Sequence, residues 1–208
     1  MSKLIVANWK MNGSKSLCDD FIRDLNPSKD LKIIICPPYP YIDYMIRELN
    51  GNFVIGAQDC SQFKDGAYTG DVSARMLKEC DVKYVIIGHS ERNESSDIIL
   101  HKVSRCLENN ITPIVCVSNS DIDYLKNFIP QEIIIAYEPL TAIGTGIAQS
   151  NEEIETIVKQ IKLYGHYKVI YGGSVTHQNA SKLLQLKDLD GLLVGKASLS
   201  VQGFNAIL

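Results

Sequence analysis

Eight short apolar runs divide the chain, and this repeated pattern limits the folds that it can adopt. The runs are rich in β-branched residues and shorter than a typical helix, so each predicts a buried strand. They begin near Lys3, Leu31, Phe53, Val82, Ile111, Glu132, Tyr167 and Leu189. Most segments between them carry apolar residues every three to four positions, which is typical of amphipathic helices. The alternation predicts the α/β class and, within it, a closed parallel (β/α)8 barrel, the TIM-barrel architecture.

Neither a linker nor a break in composition interrupts the pattern, so residues 1–208 are predicted to form a single domain. The strands are continuous apolar runs, such as Ile33–Ile35, as expected when both faces of a sheet are covered. An open doubly wound sheet is the alternative, but it normally has fewer strands at this length, and no Gly-x-Gly-x-x-Gly follows the first strand. Only residues 118–131 connect strands five and six, which predicts a truncated fifth unit with a short helix over Ile122–Phe128.

The bulk properties argue against several classes of partner. The net charge of −3 gives no basic field for nucleic acid, and no apolar run approaches the roughly 20 residues of a membrane span. The first residues, Met1–Leu4, lead directly into a strand, so no secretory leader is expected. Six widely spread cysteines without a C-x-x-C pair predict reduced thiols in a cytoplasmic protein, and no metal site.

Polar residues follow several of the predicted strands at the end where a parallel barrel carries its active site. Lys10 follows strand one, His89 strand four and Glu138 strand six. Glycine-containing turns follow strands seven and eight at Gly172–Ser174 and Gly195, and their backbone N–H groups can form an anion site. Each residue also has an ordinary interpretation: a solvated turn lysine, a core histidine bound to the backbone, a solvated strand-end glutamate, a tight turn. Together they suit proton transfer beside the carbonyl of a small phosphorylated substrate.

The segment after Glu138 is typical of a mobile flap. Pro139 stiffens its start, and Gly144 and Gly146 allow unusual dihedral angles at its tip. An acid at a strand end beneath a movable cover favours catalysis, whereas an ordinary loop is the simpler alternative.

Seven motifs now occur in an order and spacing that resemble the triosephosphate isomerase family along nearly the whole chain. They are Asn8–Gly13 (NWKMNG), Gly66–Gly70 (GAYTG), Gly88–Arg92 (GHSER), Ala136–Pro139 (AYEP), Ile143–Gly146 (IGTG), Tyr171–Val175 (YGGSV) and Gly191–Gly195 (GLLVG). The resemblance implies the interconversion of dihydroxyacetone phosphate and D-glyceraldehyde 3-phosphate through an enediolate, in glycolysis and gluconeogenesis. It implies no metal and no cofactor.

The resemblance also implies roles for individual residues. Glu138 would be the general base, His89 the neutral electrophile and Lys10 the electrostatic anchor, with Asn8 beside it and Glu91 supporting Lys10. The substrate would be bound by residues from four turns: Asn8, Lys10, Gly144, Ser174, Gly195 and Lys196. Of these, Gly144, Ser174 and Gly195 would donate to the phosphate.

Members of this family are usually dimers, so the resemblance implies a homodimer. The loop Gln62–Gly70 would insert into the partner and bring Thr69 towards the partner's Asn8 and the partner's Glu91. Insertion also accounts for Tyr68 at a polar loop tip, although a local hydrophobic anchor is the alternative.

The chain departs from the family pattern at a few positions. Leu140–Thr141 stands where the family has Val or Ile and then Trp, which removes packing surface from the flap and predicts more phosphate elimination. Lys196 replaces a glycine, and its charge either strengthens dianion binding or is solvated. Asn93 and Asn119 replace an arginine and a glutamate that pair in the family, so both partners are absent together. A barrel that binds without turnover, or a surface scaffold protein, remains the alternative function.

Overall fold

The structure is a computed structural model, and it describes residues 2–49, 51–128, 133–142 and 148–208. Eight parallel strands pair in sequence order and close into a barrel, β1 pairing with both β2 and β8. The strands are β1 (Lys3–Asn8), β2 (Leu31–Cys36), β3 (Val54–Ala57), β4 (Tyr84–Ile87), β5 (Thr112–Val117), β6 (Ile134–Tyr137), β7 (Lys168–Tyr171) and β8 (Gly191–Val194). The predicted closed TIM barrel is confirmed, and the open-sheet alternative is excluded. The extent of the domain, residues 1–208, stays a prediction.

A helical segment follows every strand. The α-helices are α1 (Lys15–Asp24), α2 (Tyr39–Arg47), α3 (Ala74–Glu79), α4 (Ser96–Glu108), α5 (Asn151–Leu163), α6 (Ala180–Leu184) and α7 (Val201–Asn205). Short 3-10 helices span Ser90–Arg92, Asn119–Asn127 and Lys196–Ser198. Serine side chains cap the amino ends of several helices. At α5, Ser150 and Glu153 form a reciprocal capping box. Within the described ranges, no helix is long and apolar enough to cross a membrane.

Two sets of buried apolar side chains alternate along the strands. In β1, Leu4 and Val6 belong to the cluster inside the barrel, whereas Ile5 and Ala7 pack outward against the helices. Strands covered on both faces are therefore apolar at successive positions, which is why the sequence shows continuous runs. Several runs begin one or two residues before the strand does, because residues such as Phe53 and Val82 are buried without pairing in the ladder.

The fifth unit differs in detail from the prediction. A helix was expected over Ile122–Phe128, but the segment is a 3-10 helix that begins earlier, at Asn119. The Ser118 side chain and the Asp121 carboxylate cap its start reciprocally, and this moves the beginning towards the strand. Ile122 and Leu125 are buried, and the segment packs against β5 and α5 in place of a full helix.

Candidate active site

Glu138 lies at the carboxyl end of β6 and is almost fully buried. Its N–H donates to the Val117 carbonyl (2.8 Å), which holds the residue beside β5. The Oε1 atom lies 3.5 Å from Nε2 of His89. Oε2 has no hydrogen-bond partner among the residues that the structure describes. The site therefore presents a buried carboxylate with an unused acceptor.

Gly172, at the end of β7, makes room for this carboxylate. A Cβ at that position would lie 2.8 Å from Cγ of Glu138 and 3.0 Å from its Oε1. The glycine is thus needed for the close approach of β7 to the side chain of β6. Sequence reasoning assigned Gly172 to an anion-binding turn and missed this role.

Burial dominates the ionisation of Glu138 and raises its pKa from 4.5 to about 7. The Cys116 thiol and the positive charge of Lys10 lower that pKa, while the Glu91 carboxylate raises it, and none of these outweighs burial. A carboxyl with this pKa exchanges protons readily near neutral pH, which suits a general base.

His89 follows β4 and precedes the 3-10 helix Ser90–Arg92. Its Nδ1 accepts the Glu91 backbone N–H (3.1 Å), so the neutral ring carries its proton on Nε2, the nitrogen facing Glu138. Burial, and then the charge of Lys10, lower the pKa of His89. The imidazole is therefore neutral at physiological pH and can donate from Nε2.

Lys10 sits in a left-handed backbone conformation, with φ of 52°. Side chains hold this turn from both sides: Asn8 Oδ1 accepts the Lys10 N–H (3.0 Å), and Gln58 Nε2 donates to the Lys10 carbonyl (2.8 Å). The Lys10 ammonium pairs with Glu91 Oε1 at 2.5 Å. A non-glycine residue held at positive φ is typical of functional sites, where the surrounding contacts offset the strain.

Gln58 was not among the predicted site residues. It follows β3, and its amide donates to the carbonyls of both Lys10 and Cys36 (2.8 and 2.9 Å), joining three adjacent strand ends. Its signal in the sequence was only an amide directly after a buried run, which is too common to single out.

A cluster of ion pairs next to the site was also missed by the sequence analysis. Lys102 is buried in α4 between Asp59 and Glu94, with 2.6 Å to each carboxylate, and Arg92 pairs with Asp59 at 2.7 Å. These pairs tie α4 and the turn after β3 to the segment that carries His89. The sequence signal was a lysine within the apolar face of α4.

One cavity of about 920 Å³ brings most of the predicted residues together. Its lining includes Asn8, Lys10, His89, Glu138, Ser174, Gly195 and Lys196. Glu91 instead lines a neighbouring cavity of about 650 Å³, which also reaches Asn8, Lys10 and His89. Gly144 and the predicted flap tip, residues 143–146, lie outside the described residues.

The turns after β7 and β8 form the end of the large cavity opposite the carboxylate. Ser174 has φ of 47°, and its hydroxyl donates to the Ala142 carbonyl (2.5 Å). The Asn179 side-chain amide donates to the Ser174 carbonyl (3.1 Å). At Gly195, a Cβ would be 3.7 Å from Cε of Lys10, so the lysine stem crosses this end of the cavity. Lys196 is exposed at the start of a 3-10 helix.

Within the described part of the chain, no three His, Cys, Asp or Glu side chains are grouped to hold a metal ion. The ionisable residues lie at the carboxyl ends of β1, β4 and β6, on one rim of a closed parallel barrel. That arrangement defines the class of the protein: it is a TIM-barrel enzyme.

Comparison with known proteins identifies the family. The family model described as triosephosphate isomerase matches residues 3–208. Triosephosphate isomerase of Wolbachia pipientis wMel is 44% identical, covering 100% of this chain and 93% of that protein. The enzyme of the same name from Francisella tularensis subsp. mediasiatica is 35% identical, covering 100% of this chain and 96% of that protein. The chain belongs to the triosephosphate isomerase family and is an isomerase.

The alignments also show that this chain is shorter than the relatives it matches. The match to the Wolbachia sp. subsp. Brugia malayi protein, at 43% identity, runs over 227 positions, more than the 208 residues of this chain. Some segments of the relatives therefore have no counterpart here, consistent with the short fifth unit.

Proposed function

We propose that the protein interconverts dihydroxyacetone phosphate and D-glyceraldehyde 3-phosphate by proton transfer through an enediolate. One observation carries this proposal: a buried carboxylate of raised pKa, Glu138, lies 3.5 Å from the protonated nitrogen of a neutral imidazole, His89, at a cavity with a fixed ammonium. These are the groups that removing a proton next to a carbonyl requires.

In the proposed reaction, the Glu138 carboxylate takes the proton from the carbon beside the substrate carbonyl. The electrons of the broken C–H bond form the double bond of the enediolate, and negative charge develops on the former carbonyl oxygen. His89 Nε2–H and the Lys10 ammonium stabilise that oxygen. His89 passes a proton from the hydroxyl on the neighbouring carbon to the former carbonyl oxygen. Glu138 then returns a proton to the former carbonyl carbon while the deprotonated neighbouring oxygen becomes the new carbonyl, which completes the isomerisation.

The remaining predicted residues hold this arrangement. Asn8 fixes the turn that carries Lys10. The Glu91 carboxylate pairs with the Lys10 ammonium, and the Glu91 backbone N–H donates to Nδ1 of His89. Backbone N–H groups near Ser174 and Gly195, with Gly144, bind the phosphate. Lys196, exposed at the same end of the cavity, adds positive charge for the dianion.

The proposal extends to a homodimer. The loop Gln62–Gly70 is largely exposed, and Phe63 stacks on Tyr68 within it, with ring centroids 4.1 Å apart. Both rings keep more than a third of their surface exposed, and Met11 is 98% exposed beside Lys10. Exposed apolar side chains next to the site favour an interface with a second copy of the chain. In that dimer the loop would bring Thr69 to the partner's Asn8 and the partner's Glu91.

We place this activity in the cytoplasm, in glycolysis and gluconeogenesis. All six cysteines are free thiols, which fits a reducing compartment.

A coupled assay with glyceraldehyde 3-phosphate tests the function. Glu138→Gln should lower kcat by about 10²–10⁴-fold, because the amide cannot accept the proton. Glu152→Gln, on the exposed first turn of α5, is the matched control and should keep full activity. Phosphoglycolate binding without turnover in the parent would indicate a barrel that only binds, and neither binding nor turnover would indicate a scaffold.

A further inference from the structure

A second cavity, of about 360 Å³, lies beside the proposed catalytic pair. Glu138 and His89 line both this cavity and the larger one of about 920 Å³. The larger cavity extends towards β7, β8 and β1, where the phosphate is proposed to bind, whereas the smaller cavity extends towards β4 and β5. A substrate held by its phosphate therefore has further space beyond the carbons that face Glu138.

The lining of the smaller cavity suits the hydroxyl groups of a sugar. It includes the hydroxyl and amide side chains of Ser90, Asn93, Ser96, Ser118, Ser120 and Tyr124. Such groups both donate and accept hydrogen bonds, as sugar hydroxyls do. The carboxylates of Glu94 and Asp121 also line the cavity, so an uncharged polar group fits this space better than a second anion.

Glu94 supplies an acceptor that no group in the described part of the chain uses. It lines this cavity and the neighbouring one of about 650 Å³, and its side chain is only 9% exposed. Its Oε1 pairs with the Lys102 ammonium at 2.6 Å, whereas its Oε2 is buried and has no hydrogen-bond partner among the described residues. A buried carboxylate oxygen without a donor costs free energy. A ligand hydroxyl in the cavity would be such a donor.

Several departures from the family pattern lie at or next to this cavity. Asn93 and Leu140 line it, Asn119 follows the lining residue Ser118, and Thr141 follows Leu140. At positions 93, 119 and 141 the pattern has arginine, glutamate and tryptophan, which are all larger. The shorter side chains leave more room on this side of the catalytic pair.

We propose that this space lets the site also accept a four-carbon aldose 4-phosphate and convert it to the corresponding ketose phosphate. The inference rests on the proposed function. With the phosphate held near Ser174 and Gly195, one additional carbon moves the aldehyde end about 1.5 Å further along, past the catalytic pair and into the smaller cavity. An added CHOH unit occupies on the order of 30 Å³, similar to one water molecule in the liquid, so the smaller cavity holds it easily.

The chemistry of the four-carbon substrate is the same proton transfer. Glu138 takes the proton from C2, the electrons of that C–H bond form the C1–C2 double bond, and the aldehyde oxygen becomes the enediolate oxygen. A proton is then added at C1 while the oxygen on C2 becomes the carbonyl, so the isomer forms with no atom gained or lost. An aldose of four carbons with its phosphate on C4 has no free hydroxyl that could close a five-membered ring. It therefore presents an open-chain aldehyde, whereas five-carbon aldose phosphates cyclise.

The test compares turnover of D-glyceraldehyde 3-phosphate and D-erythrose 4-phosphate, with the products identified by NMR spectroscopy. The parent should convert the four-carbon aldehyde to its ketose, and Glu138→Gln should slow this conversion by about 10²–10⁴-fold. Ser120→Phe and Ser96→Phe fill the smaller cavity from two positions. Each should lower kcat/KM for the four-carbon substrate at least about tenfold and change the three-carbon value by less than about twofold. Ser120→Ala keeps the space open and is the matched control, with both values unchanged.

The outcomes separate the two proposals. Absence of turnover of the three-carbon substrate contradicts the proposed function itself. Turnover of the three-carbon substrate alone overturns the four-carbon inference and leaves the proposed function intact. Four-carbon turnover that folded Ser120→Phe and Ser96→Phe proteins retain in full overturns the role of the smaller cavity. A crystal structure of the parent with D-erythritol 4-phosphate, an unreactive analogue, decides even where neither filled variant folds: a C1 hydroxyl in the smaller cavity supports the inference, and one turned to solvent overturns it.

Discussion

Nε2 of His89 lies 3.5 Å from Oε1 of Glu138, although the two residues come from β4 and β6, which β5 separates in the barrel. Both side chains are buried, so neither is held in place by solvent. Instead, the Glu91 N–H orients the imidazole, and the absence of a Cβ at Gly172 admits the carboxylate. This separation is longer than a strong hydrogen bond. The Nε2–H donor of His89 and the Glu138 carboxylate are therefore both available to a substrate in the cavity of about 920 Å³.

The pKa of Glu138 predicts the acid side of the pH–rate profile. The carboxyl must be ionised to accept a proton, so kcat/KM should fall as pH drops below about 7. The pKa of His89 is lowered, so its protonation should add no further limb near 6.5. Initial rates across the neutral range measure the midpoint. His89→Gln should keep this midpoint while losing activity, and a midpoint near 4.5 in the parent would contradict the effect of burial.

The same pKa predicts that the base destabilises the fold. The pKa of Glu138 in the folded protein, about 7, is above its ordinary value of 4.5, so ionising this carboxyl costs more free energy in the folded state than in the unfolded state. The penalty is absent below 4.5, grows as pH rises to 7 and is complete above it. Glu138→Gln should therefore be more stable than the parent by about 1–3 kcal/mol above pH 7, with no gain at low pH.

Urea denaturation of both proteins at the two pH extremes measures this difference. Glu152→Gln, which changes the same functional group on the surface, should show no comparable pH-dependent gain. Equal stability of Glu138→Gln and the parent above pH 7 would mean that the carboxylate is well solvated.

Gly172→Ala should reduce activity more than stability. The new Cβ would be 2.8 Å from Cγ of Glu138, so the carboxylate must move, and a displacement of about 1 Å can cost about 10²-fold in rate. Gly191→Ala is the contrasting variant, because its Cβ would be 1.8 Å from the backbone oxygen of Leu4, where β8 meets β1. It should prevent barrel closure. Steady-state kinetics and thermal unfolding of both variants distinguish the two effects, and full activity in Gly172→Ala would contradict the first.

The sequence predicted the barrel well because a buried parallel strand needs apolar residues on both faces, as in β2 and β4. It also placed Lys10, His89 and Glu138 after such runs, and the structure brings all three to one cavity, while their catalytic roles stay a prediction. It could not reveal Gln58 or Gly172, whose roles depend on neighbours far away in the chain. The 3-10 start at Asn119 was missed because apolar periodicity marked Ile122 and not the capping serine before it.

Lys196 offers a test of electrostatic attraction at the phosphate end of the large cavity. It lines that cavity and, among the described residues, makes no ion pair. Lys196→Met should lower kcat/KM by about two- to tenfold at low salt, and the difference should shrink as salt screens the charge. Lys182→Met, on the exposed face of α6, is the control for net charge. An equal effect of both variants would show that Lys196 acts only through the overall charge.

Tyr68→Asp should weaken the proposed dimer. Tyr68 is 44% exposed in the single chain and lies flat against Phe63, so a carboxylate there would place a charge in the apolar part of the interface. The dissociation constant should rise by at least about tenfold, measured by sedimentation velocity over a range of concentrations. Leu163→Asp is the control, because Leu163 is 86% exposed at the end of α5, away from the loop. Activity should fall together with the dimer fraction in Tyr68→Asp, since Thr69 would no longer reach the partner's site. A parent that is monomeric and fully active would contradict both the dimer and the role of its loop.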